Sequence, residues 1–166
     1  NQGQNGVAIG FQAGQGTQGS FAIALGFLAG NANQQQSSIA IGNNAGQATQ
    51  GASSVAIGNN AGNNNQGGTA VSIGFQAGQA TQGLSAVAIG NTAGASIQGA
   101  RAIAIGLNAG SFSQGENAVS IGSSSGNANQ GNSAVAIGIQ AGVASQGLNA
   151  VAIGNTAGSN RQQQAA

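Results

Sequence analysis

The stretch AVAIGNTAG fills residues 86–94 and recurs letter for letter at 150–158. Near-copies lie between them: AIAIGLNAG at 102–110, AVSIGSSSG at 118–126 and AVAIGIQAG at 134–142. Extending the frame in both directions gives Val7, Ile23, Ile39, Val55, Val71, Val87, Ile103, Val119, Val135 and Val151, spaced by 16 without a gap. Two residues after each comes Ile or Leu, and then a Gly, from Gly10 to Gly154. An Ala–Gly pair follows in nearly every copy, and then a Gln, from Gln18 to Gln146. Ten copies run with no insertion or deletion.

A frame this strict predicts a solenoid. Each coil stacks on its neighbours, and one added residue would turn every side chain of a strand to the wrong face. Disordered low-complexity sequence has no reason to keep such a frame. Each repeat reads as two short strands and two turns. The AVAI strand holds Val and Ile two apart, on one face, and both favour a pleated backbone. Gly90 and the pair after it form one turn, and Gln98–Gly99 forms the other. The second strand, around AGASIQ, is expected to turn Ala93 and Ser96 inward and its amides and hydroxyls mostly outward. A helical reading fails, because two or three Gly per repeat would cost roughly 1 kcal/mol each. The fold class expected is therefore all-β: a parallel β-roll or β-solenoid of ten 16-residue coils over residues 1–160, followed by a polar tail over 161–166. At about 4.8 Å per coil the stack would be a rod roughly 45–50 Å long.

Composition removes most chemistry. The chain has no Cys, His, Lys, Asp, Trp, Tyr, Met or Pro, and its only charges are Arg101, Glu116 and Arg161. No pair of carboxylates exists for acid–base work, and no His or Cys exists to act as nucleophile, base or soft metal ligand. No enzyme, no cofactor and no metal are expected. Near-zero net charge offers nothing to nucleic acid, and no apolar run suits membrane insertion. The start at Asn1 suggests a processed chain or an excerpt.

SVAIGNNAG (54–62) and its relatives resemble the head repeats of YadA-like trimeric autotransporter adhesins. The resemblance spans essentially the whole chain. It implies a left-handed parallel β-roll, three chains to a homotrimer, at a cell surface. A viral or phage fibre is another setting for such repeats. The coil here is longer than the family's usual one, and the regular Ala–Gly and Gln–Gly elements depart from its pattern.

Four sets of residues stand out. Val55, Ile57, Val71, Ile73, Val87, Ile89, Ile103 and Ile105 are expected to form an inward core ladder. Ala56, Ala70, Ser72, Ala86, Ala88, Ala102 and Ala104 never give way to a larger residue in any copy, and are expected to form an association face. Gln50, Gln66, Gln82, Gln98, Gln114 and Gln130 are expected to form an amide ladder, bonding the next coil or closing the turn. Phe11, Phe27 and Phe75 share one turn position and read as contact points or as cover for a turn or seam. Arg101 and Glu116, one coil apart, are expected to pair. The function expected is structural and adhesive: the head or shaft of an extracellular surface fibre, self-associating and meeting an unidentified surface or matrix receptor through many weak contacts. The alternatives are an ice-binding solenoid, for which Thr17, Asn33, Thr49, Asn65 and Thr81 would supply the face, and end-to-end stacking into filaments.

Overall fold

The computed structural model describes residues 2–162, which form one stack of coils without a helix. Ten three-residue strands, from Val7–Ile9 to Val151–Ile153, make one parallel sheet. Nine two-residue strands, from Thr17–Gln18 to Ser145–Gln146, make a second. Every strand pairs with the strand one coil on. In the first sheet Val87 pairs with Ile103, Ala88 with Ala104 and Ile89 with Ile105; in the second Thr81 pairs with Ile97 and Gln82 with Gln98. The register carries two residues past the expected boundary at 160. Gln162 bridges to Gln146, and its N–H donates to the Ser145 carbonyl at 2.7 Å. The remainder of the tail, 163–166, lies outside the described residues.

The turns are ordered by the same ladder. Around residues 90–101, Gly90 N–H donates to the Ile73 carbonyl at 2.8 Å, Thr92 N–H to Phe75 at 2.8 Å, Gly94 N–H to Ala109 at 2.9 Å and Arg101 N–H to Leu84 at 2.8 Å. Main-chain polar groups in strands and turns thus find partners one coil away, as stacked chain must if it is to be buried. Gly90 shows why the sequence cannot drift here. Its φ is 129°, and a Cβ would stand 2.6 Å from the Gly106 carbonyl oxygen.

The facing of the first sheet is the reverse of the sequence expectation. Ala56, Ala70, Ser72, Ala86, Ala88, Ala102 and Ala104 are all 0% exposed and lie inside the coil. Val55, Ile57, Val71, Val87, Ile89, Ile103 and Ile105 are only half-buried, and Ile73 is exposed. The small residues are the core and the branched ones point out. Alternation along the strand is as read; its sense is inverted. The physical reason is space. The core clusters consist of alanines alone, Ala88, Ala93, Ala104 and Ala109 among them. Ala93 is inward as expected, while Ser96 is half-buried.

Two substitutions separate the two facings. Ala104→Val puts two methyls into a filled interior and should lower stability by about 1–3 kcal/mol in chemical denaturation. Val87→Thr, on the outer face, should change the stability of the isolated chain by less than about 0.5 kcal/mol. The opposite ranking would restore the original assignment. Gly90→Ala, strained in φ and blocked by Gly106, should lose at least ~2 kcal/mol in the same measurement.

Candidate functional site: an aliphatic sheet face on a glutamine-braced coil

Inside each coil the one large side chain is the Gln of the second sheet. Gln98 is 1% exposed, and its Nε2 donates to the Val87 carbonyl at 2.7 Å and to the Ala102 carbonyl at 3.2 Å. Gln50, Gln66, Gln82, Gln114 and Gln130 repeat the pattern, with first distances of 2.6–2.8 Å. The side chain spans its own coil from the second sheet to the first, and its second bond reaches the first residue of the next. Each glutamine thus closes the turn and bonds the next coil through main-chain carbonyls, and among the described residues one amide–amide bond joins two of them, Gln130 Nε2 to Gln146 Oε1 at 3.2 Å. These glutamines are internal struts that close the turn.

The strut leaves a debt on its acceptor side. Oε1 of Gln18, Gln34, Gln50, Gln66, Gln98 and Gln114 is buried without a hydrogen bond. Where the first sheet carries Ser in place of Ala, that atom is satisfied. Ser72 Oγ donates to Gln82 Oε1 and Ser120 Oγ to Gln130 Oε1, both at 2.6 Å. The Ala/Ser interchange in the sequence therefore has a chemical meaning.

Coil-to-coil side-chain bonds run instead along the outer turns. Asn44 Nδ2 donates to Asn60 Oδ1 at 3.2 Å, Thr69 and Ser85 share a 2.8 Å bond, and Thr92 Oγ1 donates to Asn108 Oδ1. Asn63 Nδ2 reaches both the Asn44 carbonyl and Gln47 Oε1. Arg101 and Glu116 come to 3.6 Å as an exposed ion pair, and Arg101 Nε also donates to Asn117 Oδ1 at 2.8 Å. An exposed pair of this kind contributes at most about 1 kcal/mol.

The outer surface of the first sheet is left as a strip of aliphatic side chains two residues wide and ten strands long. It is half-covered by its own stacking in the middle and open at the ends, where Ile9 is 60% and Ile153 64% exposed. In plan it measures about 45 Å by 7 Å, on the order of 300 Å². Phe11, Phe27 and Phe75 stand exposed on the turn that follows this strand, and Phe11 stacks on Phe27 with ring centroids 5.4 Å apart. Thr17, Asn33, Thr49, Asn65 and Thr81 lie on the second sheet in single file, half-buried at Thr49 and exposed elsewhere, and Ile97 interrupts the file. A shallow groove near Arg161, lined by Gln130, Gln146 and Gln162 among others, holds about 320 Å³.

Residues 82–109 match the YadA head domain repeat in two copies. The coils over residues 82–109 are YadA-like head repeats. No curated protein and no solved structure matches the chain. The matched segment holds Ala86, Ala88, Ala102 and Ala104 inside and Val87, Ile89, Ile103 and Ile105 outside, and the remaining coils keep its 16-residue register. What sequence reasoning missed in these YadA-like coils was the side on which the aliphatic pair stands. The available signal was volume. The columns at 86, 88 and 93 admit only Gly, Ala or Ser, whereas the column at 89 accepts Leu25 beside Ile, and constant small volume belongs to an interior.

Ala88→Ser should install the Ser72–Gln82 bond in a coil that lacks it, donating to the orphaned Gln98 Oε1. The gain expected is about 0.5–1.5 kcal/mol in denaturant titration. Gln98→Ala should lose about 2–4 kcal/mol, by leaving a cavity and removing both strut bonds.

Proposed function

We propose that the protein is the head or shaft of an extracellular surface fibre. In this reading it is a self-associating rod, a homotrimer in keeping with its YadA-like repeats, and it adheres passively. The observation that carries the reading is the Val/Ile strip. A strand whose interior face holds only alanines and whose exterior face holds Val and Ile has its larger apolar burial still to make. The occupant that fits is a further copy of the same chain. Its strip has the same length and the same absence of charge, and two or three strips brought together cover one another. Some 300 Å² in plan, with the flanking Phe side chains added, approaches the roughly 800 Å² per partner of a stable interface.

Association leaves the second sheet and its turns facing outward. That surface carries Arg161 and, on the turns that border the strip, the Arg101–Glu116 pair, and it repeats its amides and hydroxyls from coil to coil. Such an array meets a surface or matrix receptor through many weak contacts that add by multivalency. No catalytic step is assigned: the sequence holds no Cys, His, Lys, Asp or Tyr, and its one side-chain carboxylate, Glu116, is exposed and paired with Arg101.

Sedimentation of the purified protein tests the reading. A particle about three times the 15.6 kDa chain mass is expected. The double variant Ile89→Gln/Ile105→Gln should shift it to monomer while far-UV circular dichroism stays unchanged at low temperature. A wild-type chain that sediments as a folded monomer would remove the proposal.

A further inference from the structure

The second sheet, which the strip leaves facing outward, departs from its pattern at one level. Ile97 and Phe112 stand on adjacent coils of it, 58% and 61% exposed. Elsewhere among the described residues the exposed positions of this sheet carry polar or small side chains. The Ile97 N–H donates to the Phe112 carbonyl at 3.0 Å, which sets the two residues side by side along the rod. Thr81 and Ser113 flank Ile97 in its file, and Ser96 and Ala128 lie one coil to either side of Phe112. Two large apolar side chains thus stand up from a field of small ones.

Exposed apolar residues taken singly are ordinary on a protein surface. What sets this pair apart is the charge beside it. Arg101 follows Ile97 by four residues, and Glu116 follows Phe112 by four, each on the turn that leads out of this sheet. Two of the chain's three charged side chains therefore fall on the two coils that carry the apolar pair. The level holds two units of like build, one apolar with a cation and one apolar with an anion. They lie 15 residues apart. That is about 4.5 Å along the rod. Within the chain the two charges approach only to 3.6 Å and stay exposed.

Such a pair of units is self-complementary. A second rod laid antiparallel on this face is related to the first by a two-fold axis that crosses both rods. That axis reverses height and keeps lateral position, so each file of side chains faces the same file of the neighbour. With the axis midway in height among the four residues, Ile97 faces the neighbour's Phe112 and Arg101 the neighbour's Glu116, each within roughly 2 Å in height. An axis along the rods would instead keep height and put the charged turns at opposite edges. We propose that rods pair antiparallel through this level of the second sheet, with Ile97 and Phe112 interlocked at its centre and the two Arg–Glu contacts beside them. The pairing makes no use of the strip. It joins trimers side by side where the strip assembles them, and single chains where it does not.

Sedimentation over a range of concentrations reads the pairing. The mass should hold at the basic particle when dilute and rise to at least about twice that when concentrated. Ile97→Thr/Phe112→Ala, the residues these positions carry at 81 and 80, should keep the mass at the basic particle with circular dichroism unchanged. Arg101→Glu alone and Glu116→Arg alone set like charges face to face and should each weaken pairing about tenfold, while mixing the two chains should restore it. Thiols, which the chain lacks, read the orientation. Ala80→Cys and Ala128→Cys occupy the position of Phe112, two coils before it and one after. Antiparallel rods set the two opposite each other, whereas rods at equal height set each opposite itself. The two proteins are folded separately, mixed, and joined with a short bis-maleimide that spans the roughly 10 Å between packed faces. The linked dimer should form about tenfold better in the mixture than from either protein alone. Constant mass at every concentration would overturn the pairing and leave this level to a different occupant. A charge-swapped mixture that stays unpaired, or thiols that link only to their own kind, would overturn it as well. Failure of the strip reads separately, as a dilute particle of single-chain mass.

Discussion

A coil of 16 residues closes with room inside for alanine methyls and one glutamine amide, and the rest of the structure follows from that limit. Were Gly94 given a Cβ, it would stand 2.8 Å from Gln98 Oε1. Ala88 and Ala104 touch in one cluster with Ala93 and Ala109, and no larger apolar group joins them. An interior this narrow sets the volume of every inward column and forces the branched residues out. It also makes the strut necessary. Without Gln98 the two sheets would have only methyl contacts between them, and alanine burial is worth about 1 kcal/mol or less apiece.

Much of this was legible in the sequence, for reasons that differ by residue. Period, strand positions, turn positions and register could be read because stacking tolerates no slip, so Val87 and Ile103 had to pair. The Gly90 turn could be read because only glycine fits it. The facing of Val87 and Ala88 could not be read by the ordinary rule that branched aliphatics go inside, since that rule presumes a core wide enough to hold them. The glutamines were recognised as structural, but the direction of the Gln98 side chain depends on a span across the coil that no local pattern encodes. Amide-to-amide bonds between coils also run along the outer turns, from Asn44 to Asn60 and from Asn63 to Gln47.

Those outer turns explain a second oddity. Asn44, Asn60, Thr92 and Asn108 share a position with φ near 54°, and Thr69, Ser85, Arg101 and Asn117 share another near 57°. Left-handed backbone costs a non-glycine residue about 1 kcal/mol or more, and Asn bears it best. Glycine would relieve the strain and is not used. At Asn44–Asn60, Thr92–Asn108, Thr69–Ser85 and Arg101–Asn117 the side chains at these positions bond from coil to coil, so there the strain accompanies lateral order.

Stability and association are thereby linked in one strand. Its inward residues supply close packing but little apolar area, while its outward residues supply the area and leave it facing water. A single chain is then held chiefly by main-chain ladders and struts, and in the proposed assembly each copy added to the strip would stabilise the folded state by mass action. An ordinary solenoid completes its core within the chain and treats partners as optional. In this one the branched residues that would normally finish the core stand on the surface of the chain. The strip itself carries no charge, and Arg101 and Glu116 sit on a turn beside it, paired with each other.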